Sequence, residues 1–231
     1  MSKADEPNMI PSDVQADNID HYFNVSRESI DKLKLYVDEL LRWQSHINLI
    51  SSSTIPEIWH RHICDGLQMA AHIKPTDRNI VDLGSGAGIP AIPLAIALQG
   101  AGYGARVIMI ESNAKKASFL SQVIRMCKLD SRIILNRIES ADSLELNQIV
   151  DVCTARALAP LSKLIDLTSK LPLHPQRLLF LKGQDVDVEL TQATKCWNIS
   201  FIKHSSRTQK TGCILEIKEV ERVNTGTLPR S

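Results

Sequence analysis

The run Ile80-Val-Asp-Leu-Gly-Ser-Gly-Ala-Gly-Ile-Pro-Ala-Ile-Pro-Leu-Ala-Ile-Ala-Leu98 constrains this chain more than any other segment. The apolar residues around Asp82 read as a buried strand, the three closely spaced glycines as a turn, and the stretch from Ile89 as an apolar helix. A strand that feeds a glycine turn and then a helix gathers free backbone N–H groups and the positive end of the helix dipole at one point, with no Cβ atoms blocking approach. A chain built around such a segment folds as an α/β sheet with a nucleotide cradle at its edge.

The glycine spacing narrows the nucleotide. Gly84, Gly86 and Gly88 form G-x-G-x-G, whereas the dinucleotide fingerprint needs a glycine where Ile89 stands. No G-K-[ST] follows, so a Walker A phosphate cradle is absent as well. An adenosyl ligand without a pyrophosphate remains, and S-adenosylmethionine fits, with Asp82 placed to orient the turn or the ligand's amino group. A second strand, Arg106-Val-Ile-Met-Ile-Glu111, ends in an acid that can accept both ribose hydroxyls, so Glu111, followed by Ser112, is the expected ribose clamp.

With 231 residues and 43% hydrophobic content the chain can bury the core of one α/β domain plus an extension. Five cysteines with no C-x-x-C point to free thiols, and neither a disulfide framework nor a metal site is expected. The acidic N-terminus, with Asp5, Glu6, Asp13, Asp17 and Asp20 against Lys3, is the opposite of a targeting peptide. Residues 1–25 are expected as a loose acidic tail, 26–75 as a helical extension, 76–220 as the cofactor-binding domain and 221–231 as a loose C-terminal tail. The longest apolar stretch, Ile89 to Leu98, is about half a bilayer span and carries Pro90 and Pro93, so no membrane segment is expected. These features fit a cytoplasmic monomer. A net charge of +1 makes no case for nucleic acid except through local clustering.

Apolar positions from Ile30 to Ile47 recur at helical spacing after Ser26, a good N-cap. Thr54-Ile-Pro-Glu57 reads as a capping box that starts a second helix running to about His72. From Asn79 strands are expected near 79–83, 106–110, 132–136, 149–155, 177–182, 198–203 and 213–218, with helices near 89–99, 113–128, 160–170 and 185–196. The last two strands are too close in sequence for a crossover helix and must pair antiparallel. The expected fold is therefore α/β: a Class I, Rossmann-like methyltransferase with a seven-stranded, mostly parallel sheet, an antiparallel last strand and an N-terminal helical extension.

Several segments, in this order and spacing, resemble the bacterial small-subunit ribosomal RNA guanine-N7 methyltransferases, the glucose-inhibited division protein B family. They are Leu41-Arg-Trp-Gln-Ser-His-Ile-Asn-Leu49, Ile58-Trp-His-Arg-His-Ile-Cys-Asp65, the core from Asp82 to Leu94, Glu111 to Leu120, Arg137-Ile-Glu139, Ala155-Arg-Ala157 and Phe180-Leu-Lys-Gly183. The resemblance covers roughly residues 30 to 218. It implies N7 methylation of a conserved-loop guanine of 16S rRNA, guanosine 527 in the usual bacterial numbering, with S-adenosylmethionine as donor and the small ribosomal subunit as partner. It also implies cofactor contacts at Gly84, Ile89, Glu111, Ile138, Glu139 and Arg156. The chain departs from the family pattern at Ala91, where glycine is usual, at Gly66, where serine is common, and at Thr154-Ala155, where a serine often precedes the arginine.

The chemistry agrees with these residues. Guanine N7 carries an in-plane lone pair and no proton, so alignment and electrostatics suffice and no general base is needed. The strand ending at Asp151-Val-Cys-Thr-Ala-Arg156 lacks both the [DN]-P-P-[FY] run of amino methyltransferases and the Pro-Cys pair of 5-methylcytosine enzymes. Cys153 therefore reads as core. Arg156 is the candidate catalytic residue, a planar donor fork for O6, phosphate or the cofactor carboxylate. Arg61 and His62, with Asp65 on the same helix, Lys115, Lys116, Lys182 and Arg207 are the candidate RNA contacts, and Arg125, Lys128 and Lys210 could extend a basic rim. Trp43 and Trp59 fit anchors of the extension better than base-stacking platforms. The residues alone leave open a Class I methyltransferase of a small molecule or protein, and a non-catalytic RNA-binding scaffold.

Overall fold

The computed structural model describes residues 9–140, 149–171 and 175–223. Seven strands, β1 (Asn79–Leu83), β2 (Arg106–Glu111), β3 (Ser131–Leu135), β4 (Val152–Arg156), β5 (Arg177–Lys182), β6 (Trp197–Ser205) and β7 (Cys213–Arg222), form one sheet in the order β3-β2-β1-β4-β5-β7-β6. The first five run parallel, and β7 is antiparallel to both β5 and β6. Each expected strand is present, within a few residues at its ends. The winding reverses between β1 and β4, which opens a crevice at the carboxyl ends of these two strands.

The central strands are buried on both faces, so they read as continuous apolar runs rather than alternating ones. Ile80, Val107, Met109 and Leu179 face one side, together with α3 (Ala91–Gly100) and α4 (Ala114–Cys127). Val81, Ile108, Cys153 and Phe180 face the other, with α5 (Leu161–Ser169) and α6 (Val186–Ala193). On the first side a third layer is added. α1 (Arg27–Gln44), capped by the Ser26 hydroxyl accepting from the Ser29 N–H, lies over α3 and α4 and belongs to the same core as the sheet. Trp43 packs against Phe119 with ring centroids 5.8 Å apart, and its Nε1–H donates to Glu39, as does Gln122 from α4. The Tyr36 hydroxyl donates 2.6 Å to the Ala87 carbonyl, tying α1 to the glycine turn itself.

The second expected helix is a composite. A 3-10 stretch, Ser52–Glu57, leads into a π-helical turn, Trp59–Ile63, then α2 (Cys64–Met69) and a last 3-10 turn to His72. Thr54 lies inside the 3-10 stretch rather than at a helix N-cap, because its hydroxyl is bonded elsewhere. Gly66 allows α2 to rest on α3: a Cβ there would meet the Pro93 Cβ at 2.7 Å and the Pro90 carbonyl at 2.9 Å.

The expectation of a loose tail through residue 25 is corrected. Ile10, Val14 and Ile19 are buried, the Ile10 N–H donates to the Arg207 carbonyl, and residues 9–25 close over the helical layer. Acidic composition concealed three apolar residues spaced widely enough to anchor a segment without regular periodicity. At the other end β7 continues to Arg222, two residues into the expected tail, whose residues from 224 on lie outside the described part. Among the described residues no helix is long and apolar enough to cross a membrane. We expect Ile19→Ala to lower stability by about 2–4 kcal/mol, as for a fully buried core residue, in urea denaturation; a change below about 0.5 kcal/mol is what a loose tail predicts.

Candidate functional site

Five strand ends meet at the carboxyl edge of the sheet, and their loops line two adjoining cavities. The first, about 460 Å³, is bounded by Gly84, Gly86, Glu111, Ser112, Ile138 and Glu139, all expected cofactor contacts, and also by Asn136, Arg137, Lys116 and Lys163. The second, about 590 Å³, is bounded by Asp65, Arg156, Lys182, Asp185, Glu189 and Gln209. Ala157, Leu158 and Ala159 line both, so the loop after β4 is a shared wall. Ala157 has φ +52°, a left-handed conformation that costs a non-glycine residue about 1–2 kcal/mol. Nothing in the local sequence announces it.

The glycine turn has the conformation its composition requires. Gly84, Gly86 and Gly88 all have positive φ, and a Cβ on Gly84 would stand 2.5 Å from the Leu158 side chain. Glu111 braces the turn from β2: one carboxylate oxygen accepts from the Gly86 N–H at 2.8 Å and the other from the Asn113 N–H at 2.8 Å. Each oxygen retains acceptor capacity, since a carboxylate offers about four lone-pair sites. Asp82 lies behind the turn and is 1% exposed. Register pairs it with Thr154 across the β1–β4 crevice, and the Thr154 hydroxyl donates 2.7 Å to its Oδ1. Its Oδ2 is buried without a hydrogen-bond partner among the described residues. Burial pushes this carboxyl up to about 6, aided by the Glu111 charge and opposed by the Ser85 and Thr154 hydroxyls. Gly88 and Ile89 sit in the packing behind the cleft rather than on its wall, Gly88 close to Ile92 and Leu120.

Arg156 ends β4 on the wall of the larger cavity rather than the cofactor-sized one. Three partners hold its guanidinium: Nε is 3.2 Å from Asp65 Oδ2, Nη1 is 2.9 Å from His62 Nδ1, and Nη2 donates 3.1 Å to the Arg61 carbonyl. Nη1 and Nη2 each commit one N–H and keep one, while Nε faces Asp65 as an ion pair. Asp65 is buried and also accepts from Thr208 and Gln68. Burial pushes the Asp65 carboxyl up while Arg156 and Thr208 pull it back.

Several expected RNA contacts are placed differently. His62 is buried behind Arg156, with its Nε2 2.7 Å from the Thr54 hydroxyl, and presents no face to a ligand. Arg61 is half-buried, its Nε without a hydrogen-bond partner among the described residues, and its carbonyl serves Arg156. Lys182 donates to Glu189 at 2.6 Å and to the Ala159 carbonyl at 3.0 Å, which neutralises it in the cavity wall. Arg207 stacks over Phe23 and donates to the Tyr22 carbonyl, clamping the N-terminal segment. Lys115 is exposed and Lys116 half-buried at the start of α4, beside the cofactor-sized cleft. Arg125 and Lys128, at the other end of α4, lie toward the opposite edge of the sheet and do not continue that rim. Trp43 and Trp59 are anchors, and Cys153 is core, its thiol pushed well up by burial. Sequence reasoning missed the pairing of Thr54 with His62 and of Lys182 with Glu189, since neither spacing falls on one regular helix.

The residues fit an adenosyl cofactor on two observations: a glycine cradle that side chains would fill, and a buried carboxylate oxygen with no partner within the described residues. Among the described residues no group of acidic, histidine and cysteine side chains could hold a metal ion.

Comparison with known proteins follows the same direction. The family model GidB, described as rRNA small subunit methyltransferase G, matches residues 29–217. The chain is similar to the Ribosomal RNA small subunit methyltransferase G of Nitrobacter hamburgensis, 44% identical over 199 residues, covering 86% of this chain and 75% of that protein. It is likewise similar to proteins of the same name from Rhodopseudomonas palustris strain BisA53, at 42% over 205 residues (88% and 87% covered), and from Bradyrhizobium sp. strain ORS 278, at 45% over 199 residues (86% and 88%). Among solved structures it resembles the O-methyltransferase of Bacillus cereus in complex with SAH, with TM-score 0.52 and 14% identity, covering 80% of this chain and 90% of that one. That likeness concerns the fold.

Burial, reinforced by the charges of Arg156 and Arg61, pushes the His62 imidazole down to about 3. The unfolded chain therefore takes up this proton first, and the contribution of His62 to stability is lost as pH falls from about 6.5 toward 3. Asp82 titrates in the opposite sense, so the two are separated by difference. His62→Asn should remove about 2 kcal/mol of acid sensitivity at pH 5 relative to pH 8, measured by urea denaturation at both values. Equal pH dependence in variant and parent contradicts a buried neutral imidazole.

Proposed function

The chain belongs to the GidB family of rRNA small subunit methyltransferases, S-adenosylmethionine-dependent enzymes of α/β Class I fold, and on that premise we propose that it methylates guanine N7 in 16S rRNA at the position its family resemblance implies, guanosine 527. The observation that carries this reading is the pair of cavities sharing the wall Ala157–Ala159, with Arg156 on the larger one, next to that wall in sequence. One accommodates a methyl donor and the other a base turned out of its stack.

In this reading the Gly84–Gly86 backbone, Glu111, Ser112, Ile138 and Glu139 hold the cofactor, and Asp82, which lines neither cavity, supports the turn from behind. When bound, the cofactor supplies an electrophilic methyl group on a sulfonium. The chain's part is to position and to shield. Arg156 keeps two N–H groups for the base O6 or a phosphate, while Asp65, His62 and the Arg61 carbonyl stop it from swinging onto N7, where a donor would occupy the attacking lone pair. Asp65 is consumed by Arg156, Thr208 and Gln68 and is not available as a base. A purine N7 needs none. Lys115 and Lys116, with Arg137, supply cations at the mouth of the cleft for the RNA backbone. The substrate is rRNA, naked or within the small subunit.

Nucleoside mass spectrometry of small-subunit rRNA from a strain lacking this protein should show the loss of one 7-methylguanosine, restored by the intact gene. An unchanged profile rules out the proposed reaction. Gly84→Val combines a φ of +62° with a clash against Leu158, and the strain of about 1–3 kcal/mol should weaken S-adenosylmethionine binding by tenfold to a hundredfold or more in calorimetry, with near-UV circular dichroism unchanged. Parent-like affinity would contradict the cradle.

A further inference from the structure

The hydrogen-bond directions behind Arg156 admit a single arrangement. A guanidinium only donates, so His62 Nδ1, 2.9 Å from Nη1, must accept. The one proton of the neutral ring then sits on Nε2, 2.7 Å from the Thr54 hydroxyl oxygen. Thr54 accepts it and sends its own proton to the Ser51 carbonyl at 2.7 Å. The ring is buried and its basicity strongly depressed, so it stays neutral, with its one proton on Nε2. Among the described residues the tautomer is held from both sides, with Thr54 at Nε2 and Arg156 at Nδ1.

We infer that Thr54 is a positioning residue for the methyl-transfer site: by accepting the His62 Nε2 proton it keeps Nδ1 free to receive Arg156, and so sets the orientation of the guanidinium in the larger cavity. The inference rests on the role assigned to Arg156 above. Without the Thr54 oxygen, an Nε2–H is left buried and unpaired, a cost of about 1–3 kcal/mol. Moving the proton to Nδ1 exchanges that unpaired donor for an unpaired acceptor at Nε2 and sets an N–H against Nη1, which breaks the bond and frees Arg156 to turn. The 3-10 stretch and π-helical turn that replace a regular helix here bring positions 54 and 62, eight residues apart, into contact.

The test uses the full chain carrying Thr54→Val, Thr54→Ser, His62→Asn or Arg156→Ala, and the Thr54→Val/His62→Asn double variant. Nitrogen-15 shifts of the labelled histidines report the His62 tautomer, calorimetry the S-adenosylmethionine affinity, and methyl incorporation into small subunits from a deletion strain the turnover. Thr54→Val is expected to move the His62 proton toward Nδ1 and to lower kcat about tenfold, with cofactor affinity within twofold. Thr54→Ser should behave as the parent. Asparagine at 62 offers an acceptor oxygen in place of Nδ1 and has no ring proton to misplace, so in that background adding Thr54→Val should change kcat less than twofold. Retention of the Nε2–H tautomer in Thr54→Val overturns the inference whatever the rate, as does a shifted tautomer with parent turnover where Arg156→Ala is inactive. Parent turnover in Arg156→Ala is a separate outcome: it removes the assigned role of Arg156, while the tautomer still decides whether Thr54 orients it.

Discussion

The contact between Arg156 and Asp65 joins the N-terminal helical layer to the sheet on the wall of the larger cavity. Arg156 closes a central strand and Asp65 begins a helix of the N-terminal layer, so their 3.2 Å pair fixes the extension to the sheet edge. A buried charge pair stands only if every member is satisfied. Here the guanidinium has the His62 ring and the Arg61 carbonyl as well, and the carboxylate has Thr208 and Gln68. Thr208 and Gln68 in turn sit beside the loop that carries Arg207, which clamps residues Tyr22 and Phe23. One arginine is thereby connected to the sheet, the helical layer, the last hairpin and the N-terminal segment.

The same economy of contacts explains why the extension is not a separate domain. α1 shares its core with the sheet face, and Tyr36 bonds the carbonyl of Ala87 inside the glycine turn. Glu111 bonds the Gly86 N–H from the other side. The turn is held before any ligand arrives, so less conformational freedom is lost on binding than a flexible glycine loop would lose. The left-handed Ala157 lies on the wall that both cavities share, and such strained residues cluster where a site must be held in one shape.

Much of this was legible along the chain, and for identifiable reasons. The strand Ile80–Leu83, the turn from Gly84 to Gly88 and the acid at Glu111 are short-range patterns whose meaning depends on backbone geometry, and six expected contacts gather on one cleft. The charged residues were harder. Lys182, Arg207 and His62 look on paper like RNA contacts, but each had found a partner: Glu189, Tyr22 with Phe23, and Arg156. A cation's role depends on which anion or carbonyl lies within about 3 Å, which sequence separation does not reveal. The acidic N-terminal segment misled in the opposite way, since Ile10, Val14 and Ile19 carry its packing while Asp13, Asp17 and Asp20 face outward.

Hydrophobic periodicity and motif spacing therefore sufficed for the fold class and the order of strands and helices, because each is written in residues a few positions apart and enforced by backbone sterics, while the family came from the resemblance of whole segments. The division of labour among the polar side chains rested on the tertiary structure. Whether Arg156 pairs with Asp65, whether His62 lies at the surface or behind Arg156, and whether Thr54 caps a helix or bonds a ring nitrogen depend on contacts between distant segments brought together by burial, where an unpaired polar group costs about 1–3 kcal/mol.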